Sequence, residues 1–144
     1  MPETPYSPPD LSLRGDEHVR AYLESGGARG YLWNGVPILL LTATGRRSGQ
    51  PRTSALIFGR DGDDYLVVAS KGGAPDHPEW YRNLLAHPQA EIQVEDRHLP
   101  VLARTADAAE KPRLWAIMTE LWPNYDAYQT RTDRPIPIVV LAPT

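Results

Sequence analysis

The stretch Ile38-Leu39-Leu40-Leu41-Thr42-Ala43-Thr44-Gly45-Arg46-Arg47-Ser48-Gly49-Gln50-Pro51-Arg52-Thr53-Ser54-Ala55-Leu56-Ile57-Phe58 decides how the chain is read. One apolar run, Ile38 to Leu41, leads into a polar loop, and a second, Ala55 to Phe58, leads out. That is the pattern of a β-hairpin with residues 44–52 at its tip. Two glycines let the tip turn or approach a ligand closely. Three arginines on one tip repel one another unless water or an anion lies among them, and guanidinium forks match phosphate and carboxylate oxygens. The tip reads as an anion clamp.

Charge along the chain sharpens this reading. Residues 25–60 contain no Asp or Glu but hold Arg29, Arg46, Arg47, Arg52 and Arg60, while the whole chain has net charge -3. A nucleic-acid binder is usually basic over a whole face. A local positive field on an acidic protein suits a small anionic ligand.

The 144 residues are enough for one domain with a sizeable core. The first ten residues hold four prolines and no apolar h-region, so residues 1–15 read as a flexible leader and 16–144 as a single domain. No run approaches the roughly 20 apolar residues that span a bilayer. No cysteine is present, which removes disulfides, thiolate nucleophiles and zinc-thiolate sites. A soluble, cytoplasmic protein without a membrane anchor is expected.

Around the hairpin, Asp16 to Leu23 allows a short helix with Asp16 as its cap, Val19, Tyr22 and Leu23 on its apolar face, and Gly26-Gly27 closing it. Asp61-Gly62 marks a second tight turn, followed by the strand Tyr65-Leu66-Val67-Val68-Ala69. Three strands in succession imply an antiparallel meander. The third delivers Ser70-Lys71-Gly72-Gly73, after which Asp76 or His77 caps a helix from Pro78 through Leu85. On that helix Trp80, Asn83 and Leu84 share a face suited to a flat polar ring.

Glu91 to Glu95 alternates as a half-buried strand and Leu99 to Ala103 returns from it. Asp107 and Glu110 form a capping-box start for a helix carrying Leu114, Trp115, Ile117, Met118 and Leu121. Trp122 to Tyr128 is an aromatic cluster on a loop or short helix. Ile136 to Leu141 is a last strand, whose proline suggests an edge or a strand start. Six or seven strands with helices inserted give an α+β class, either a small antiparallel barrel or an open sheet with one helical face. The histidines lack metal-ligand spacing and no G-x-S-x-G turn is present, so neither a metal site nor a serine hydrolase is expected.

Taken together, Leu41 to Arg52, Ala69-Ser70-Lys71-Gly72-Gly73, His77-Pro78 with Trp80 and Asn83, and Thr132-Asp133-Arg134-Pro135-Ile136-Pro137 resemble the deazaflavin-dependent nitroreductase family over residues 39–141. The resemblance implies a split β-barrel of FMN-binding type that uses coenzyme F-420. This is an 8-hydroxy-5-deazaflavin with a phospholactyl-polyglutamate tail, whose reduced form gives a hydride from ring carbon C5 to a quinone, enone or nitroaromatic substrate. It implies a tail site at Arg46, Arg47, Ser48, Gly49 and Arg52, and ring contacts at Ser70, Lys71, Gly72, Gly73, Trp80 and Asn83. It also implies substrate-side, catalytic positions at Tyr125, Tyr128 and Ser70. Three positions depart from the family pattern: Ala55 stands for a proline, Ile57 for a tyrosine of some relatives, and Glu79 for an apolar residue against the ring.

From the residues alone, Trp80, Tyr125 and Tyr128 are equally well read as core aromatics. An FMN-dependent oxidoreductase of the same barrel and a carrier that stores the deazaflavin stay open beside the enzyme, as do a monomer and a homodimer.

Overall fold

The computed structural model describes residues 15–144, and the leader read at residues 1–14 lies outside them. Gly15, which the sequence reading put in the leader, is already the first residue of helix α1 (Gly15–Ser25). A two-residue strand β1 (Leu32–Trp33) folds onto the start of β2 (Val36–Thr44), which forms the expected hairpin with β3 (Pro51–Ile57). The register pairs Thr44 with Pro51 and Ile38 with Ile57.

Next come β4 (Gly59–Asp61), β5 (Asp64–Val68), a 3-10 turn (Lys71–Gly73), α2 (Glu79–Ala86), β6 (Gln89–Val94) and β7 (Arg97–Thr105). Helices α3 (Lys111–Leu121) and α4 (Asn124–Thr130) and strand β8 (Ile138–Pro143) end the chain. The sheet is antiparallel throughout, in the order β1-β2-β6-β7-β8-β5-β4, with β3 on the other side of β2. It curls as a split barrel that its hydrogen-bond ladder does not close.

The expected meander is corrected here. β4 and β5 form their own hairpin, but β5 pairs with β8 rather than returning to β3. The residues of β5 and β8 alternate between two cores, as a strand's twofold period requires. Tyr65, Val67, Val139 and Leu141 enter the core within the curl, while Leu66, Val68, Ile138 and Val140 pack under α3 and α4 with Leu114 and Met118. A strand buried on both faces belongs in the middle of a sheet. For the same reason β8 is central rather than an edge, and Pro137 lies just before it, its carbonyl accepting from Ala69 N–H at 2.9 Å.

Helix α1 is rotated from its expected setting. His18, Ala21 and Tyr22 are buried and Leu23 is 54% exposed. Burial of His18 is tolerated because its Nε2 meets the Gly30 carbonyl at 2.7 Å. Tyr22 ties the helix to the sheet: its hydroxyl faces the carbonyls of Ile38 (3.1 Å) and Gln93 (3.3 Å) and accepts from Glu95 N–H at 2.6 Å. Burial raises the pKa of this phenol, so it remains a donor. Gly27 closes the helix because a Cβ there would lie 2.6 Å from Glu95 Cα.

At α2 the cap is Pro78, not Asp76 or His77, and no side chain caps the helix. The Asp107–Glu110 box does form, with reciprocal bonds of 3.1 and 2.9 Å to each other's backbone N–H. Of the aromatic cluster, Tyr125 and Tyr128 are helical, on α4, while Trp122 caps the end of α3. Among the described residues no helix is long and apolar enough to cross a membrane. Because the Tyr22 hydroxyl accepts from a backbone N–H and shares its one proton between two carbonyls, Tyr22→Phe is expected to cost about 1 to 3 kcal/mol in urea unfolding, against no change if water replaces the oxygen freely.

Candidate active site

Two adjoining clefts meet at Trp80. The first, about 340 Å³, opens between β3, which supplies Ala55, Leu56 and Ile57, and the end of β5, which supplies Val68 and Ser70. Lys71, Gly72 and Pro78 extend one wall, and Trp33, Trp122, Tyr125 and Tyr128 form an aromatic one. The second, about 520 Å³, is lined by Arg46, Arg47, Ser48, Arg52, Glu79 and Asn83, with Trp80 at the border. Both volumes lie within the usual range for ligand pockets.

The three arginines of the hairpin tip do different work. Arg46 is engaged by the protein: its Nη1 reaches Asn83 Oδ1 at 2.9 Å and Glu79 Oε2 at 2.8 Å, and its backbone N–H also reaches Asn83 Oδ1, at 3.1 Å. The departure at Glu79 thus has a structural outcome. Its carboxylate sits in the basic cleft, and the Arg46 hydrogen bond holds its pKa below the usual range, so it stays ionised. Asn83 is buried on the wall of this cleft, and its oxygen accepts twice from Arg46, so it shapes the arginine tip.

Arg47 and Arg52 are exposed, and among the described residues neither has a carboxylate within ion-pair distance. They are the donors left for an anion. Gly49 shapes the loop at φ 71° without lining the cleft.

On the other side, Ser70 is buried at the end of β5, and its side chain makes no capping bond to the turn that follows. Lys71 and Gly72 hold left-handed φ angles of 47° and 63°. Gly73 does not line the cleft. A Cβ there would stand 2.4 Å from the Tyr128 carbonyl, so it is the point where the turn packs against α4.

Tyr125 is buried beside Tyr128, ring centroids 6.1 Å apart, and burial pushes its hydroxyl far above the ordinary phenol range. The Tyr128 oxygen accepts from Trp122 Nε1 at 3.3 Å. Trp122 in turn lies 5.4 Å from Trp33, ring to ring. The two readings of these aromatics therefore merge, because the residues pack on one another and border the cleft. Sequence reasoning missed Trp33, Trp122 and His18 as wall residues. Trp33 belongs to no motif, and a histidine set beside Asp16, Glu17 and Arg20 carries no local sign of burial.

A sequence profile described as F420H(2)-dependent quinone reductase matches residues 14–143. The chain belongs to this family. It is 46% identical over 128 residues to an F420H(2)-dependent quinone reductase of Mycobacterium tuberculosis (strain ATCC 25618 / H37Rv), covering 86% of each chain. Among solved structures it resembles one described as a domain-swapped dimer, with 36% identity, TM-score 0.72, and 87% of this chain and 92% of that one covered. It also resembles an F420-H2 dependent reductase, FDR-A, with 42% identity, TM-score 0.68, and 73% and 93% covered.

The family is one of oxidoreductases whose cofactor is coenzyme F-420, on the split-barrel fold found here. The residues present fit that group: an apolar and aromatic cleft with one serine adjoins a cleft carrying two uncommitted guanidinium groups. Since Asn83 orders the loop that carries those groups, Asn83→Ala is expected to weaken binding of the oxidised deazaflavin about tenfold or more in an absorbance titration. Unchanged affinity would mean that the loop needs no such support.

Proposed function

We propose that this protein transfers a hydride from the reduced deazaflavin to a quinone held in the 340 Å³ cleft, with enones and nitroaromatics as further substrates. The observation that carries this reading is the junction at Trp80, which makes the aromatic cleft and the arginine-lined cleft neighbours. When bound, the reduced deazaflavin supplies a hydride from ring carbon C5.

The protein's part is binding, orientation and hydrogen bonding. Arg47 and Arg52 hold the tail phosphate and carboxylates, with Ser48 beside them. Ser70, Lys71 and Gly72 border the ring, and Trp80 covers the passage between ring and tail. Tyr125 stays protonated at neutral pH because burial disfavours its phenolate, so it acts as a hydrogen-bond donor to a substrate oxygen rather than as an acid. The Tyr128 oxygen accepts from Trp122, which holds this second phenol against the aromatic wall where a substrate would lie. Reduction of a quinone to a quinol takes one hydride and one proton, and solvent supplies the proton through the open side of the cleft.

A homodimer is the assembly we favour. One structural relative is described as a domain-swapped dimer, and among the described residues β3 has a strand partner on one side alone. A cysteine-free chain suits a reducing cytoplasm.

Anaerobic mixing of the protein with C5-deuterated reduced deazaflavin and a soluble quinone tests the reading. Quinol formation that consumes the label, and that persists in air, is expected. A protein that retains stoichiometric FMN and turns over only without oxygen would contradict it, and one that binds the deazaflavin without turnover would be a carrier. Tyr125→Phe and Tyr128→Phe remove one oxygen each, so each should lower kcat by about tenfold or more with little change in cofactor affinity. Equal losses in both would assign the tyrosines to packing.

A further inference from the structure

Arg134 lies between α4 and β8, outside both cleft walls, yet its guanidinium turns back onto the segment joining β5 to α2. Nε donates to the Ala74 carbonyl at 2.8 Å, Nη2 to the Ser70 carbonyl at 2.7 Å, and Nη1 to the Ala69 carbonyl at 3.2 Å. Nη1 also meets His77 Nδ1 at 3.1 Å. A guanidinium has no acceptor, so His77 must offer a lone pair at Nδ1 and be neutral there.

The segment thus gripped needs holding. It contains three consecutive left-handed residues, Lys71, Gly72 and Gly73, at φ 47°, 63° and 84°, and the first is not a glycine. Ser70 has no side-chain bond to its own turn, so the backbone alone aims its hydroxyl. A single residue satisfies the carbonyls on either side of that turn.

We infer that Arg134 is a positioning residue: it fixes the Ser70–Gly73 turn in its cleft-lining conformation, and through its bond to neutral His77 makes that turn loosen in acid. The inference rests on the cleft being the deazaflavin site as far as binding is concerned, but the conformational part stands without it. Around His77 the charged neighbours are Arg134 and Arg82, which oppose its protonation, and Asp76, which favours it, with the Tyr81 ring edge-on at 4.9 Å. Burial, with Arg134 next, holds the imidazole below its ordinary pKa. The folded value therefore lies below the unfolded one. The stabilisation is complete above the unfolded value, about 6.5, and is lost as pH falls through the folded one. Protonation would replace an N–H···N bond by two facing cations.

The test uses amide hydrogen exchange across residues 69–77 of the ligand-free protein, corrected for intrinsic rates, and the dissociation constant for oxidised deazaflavin. Both are measured at about pH 7.5 and about pH 5.5, on either side of the ordinary histidine range. Arg134→Lys replaces a planar fork by one point donor that cannot reach all four acceptors. It should speed exchange in this segment and weaken binding about tenfold at the higher pH. The parent should show the same loosening on acidification. His77→Gln keeps an uncharged acceptor, and its exchange should stay slow at the lower pH. An R134K protein that melts earlier but keeps parental exchange and affinity would overturn the inference, and so would an H77Q protein with the parent's acid response. If R134K does not fold, H77Q still decides. If the parent binds no deazaflavin, the functional reading fails while the exchange data still judge the turn.

Discussion

The absence of a hydrogen-bonded ladder between β3 and β5 is the constraint on which the rest of the structure depends. β5 has β4 and β8 as neighbours, and β3 has β2. The two strands face each other across the aromatic cleft instead of pairing, with Ala55, Leu56 and Ile57 on one wall and Val68 and Ser70 on the other. A closed barrel would fill this space with side chains. Leaving the curl split places an apolar slot beside the hairpin tip that carries the arginines.

Within that frame the charges are divided by what surrounds them. Arg46 is drawn into the protein by Asn83 and Glu79, contacts that brace the loop. Arg47 and Arg52 remain exposed on the wall of the basic cleft, without a carboxylate partner among the described residues. Glu79 moderates the field, so the site is less positive than three arginines alone suggest. On the opposite side, Tyr125 is kept neutral by burial, so it adds no charge to the aromatic wall. The result is one cleft lined by arginines beside one lined by aromatic and aliphatic side chains.

Much of this was legible in the chain. The hairpin followed from two apolar runs around a glycine-bearing loop, and the capping box at Asp107 and Glu110 from its spacing. The family followed from motifs spread over most of the sequence. What could not be read were partners set by long-range packing. The strand from Tyr65 to Ala69 carries apolar residues on both faces, a mark of a central strand, but nothing local says that its neighbour is β8 rather than β3. His18 looked like a surface residue because the carbonyl of Gly30 that makes its burial tolerable lies in a loop beyond the helix. That the Asn83 oxygen braces the arginine loop was hidden for the same reason, since its partner Arg46 is distant in sequence. Arg134 sat in a motif that pointed to the family but gave no hint of the carbonyls it holds.

We propose that the two clefts form one site, with the anionic tail on Arg47 and Arg52 and the ring beyond Trp80. A thermodynamic cycle tests it most directly. Binding of the intact oxidised deazaflavin, and of the same chromophore lacking its phospholactyl-polyglutamate tail, is measured with the parent and with the Arg47→Ala, Arg52→Ala double variant. The account expects the double substitution to weaken binding of the intact cofactor by about tenfold or more and to leave the tail-less chromophore unaffected. Equal losses for both ligands would show that the arginines do not hold the tail and would contradict the account.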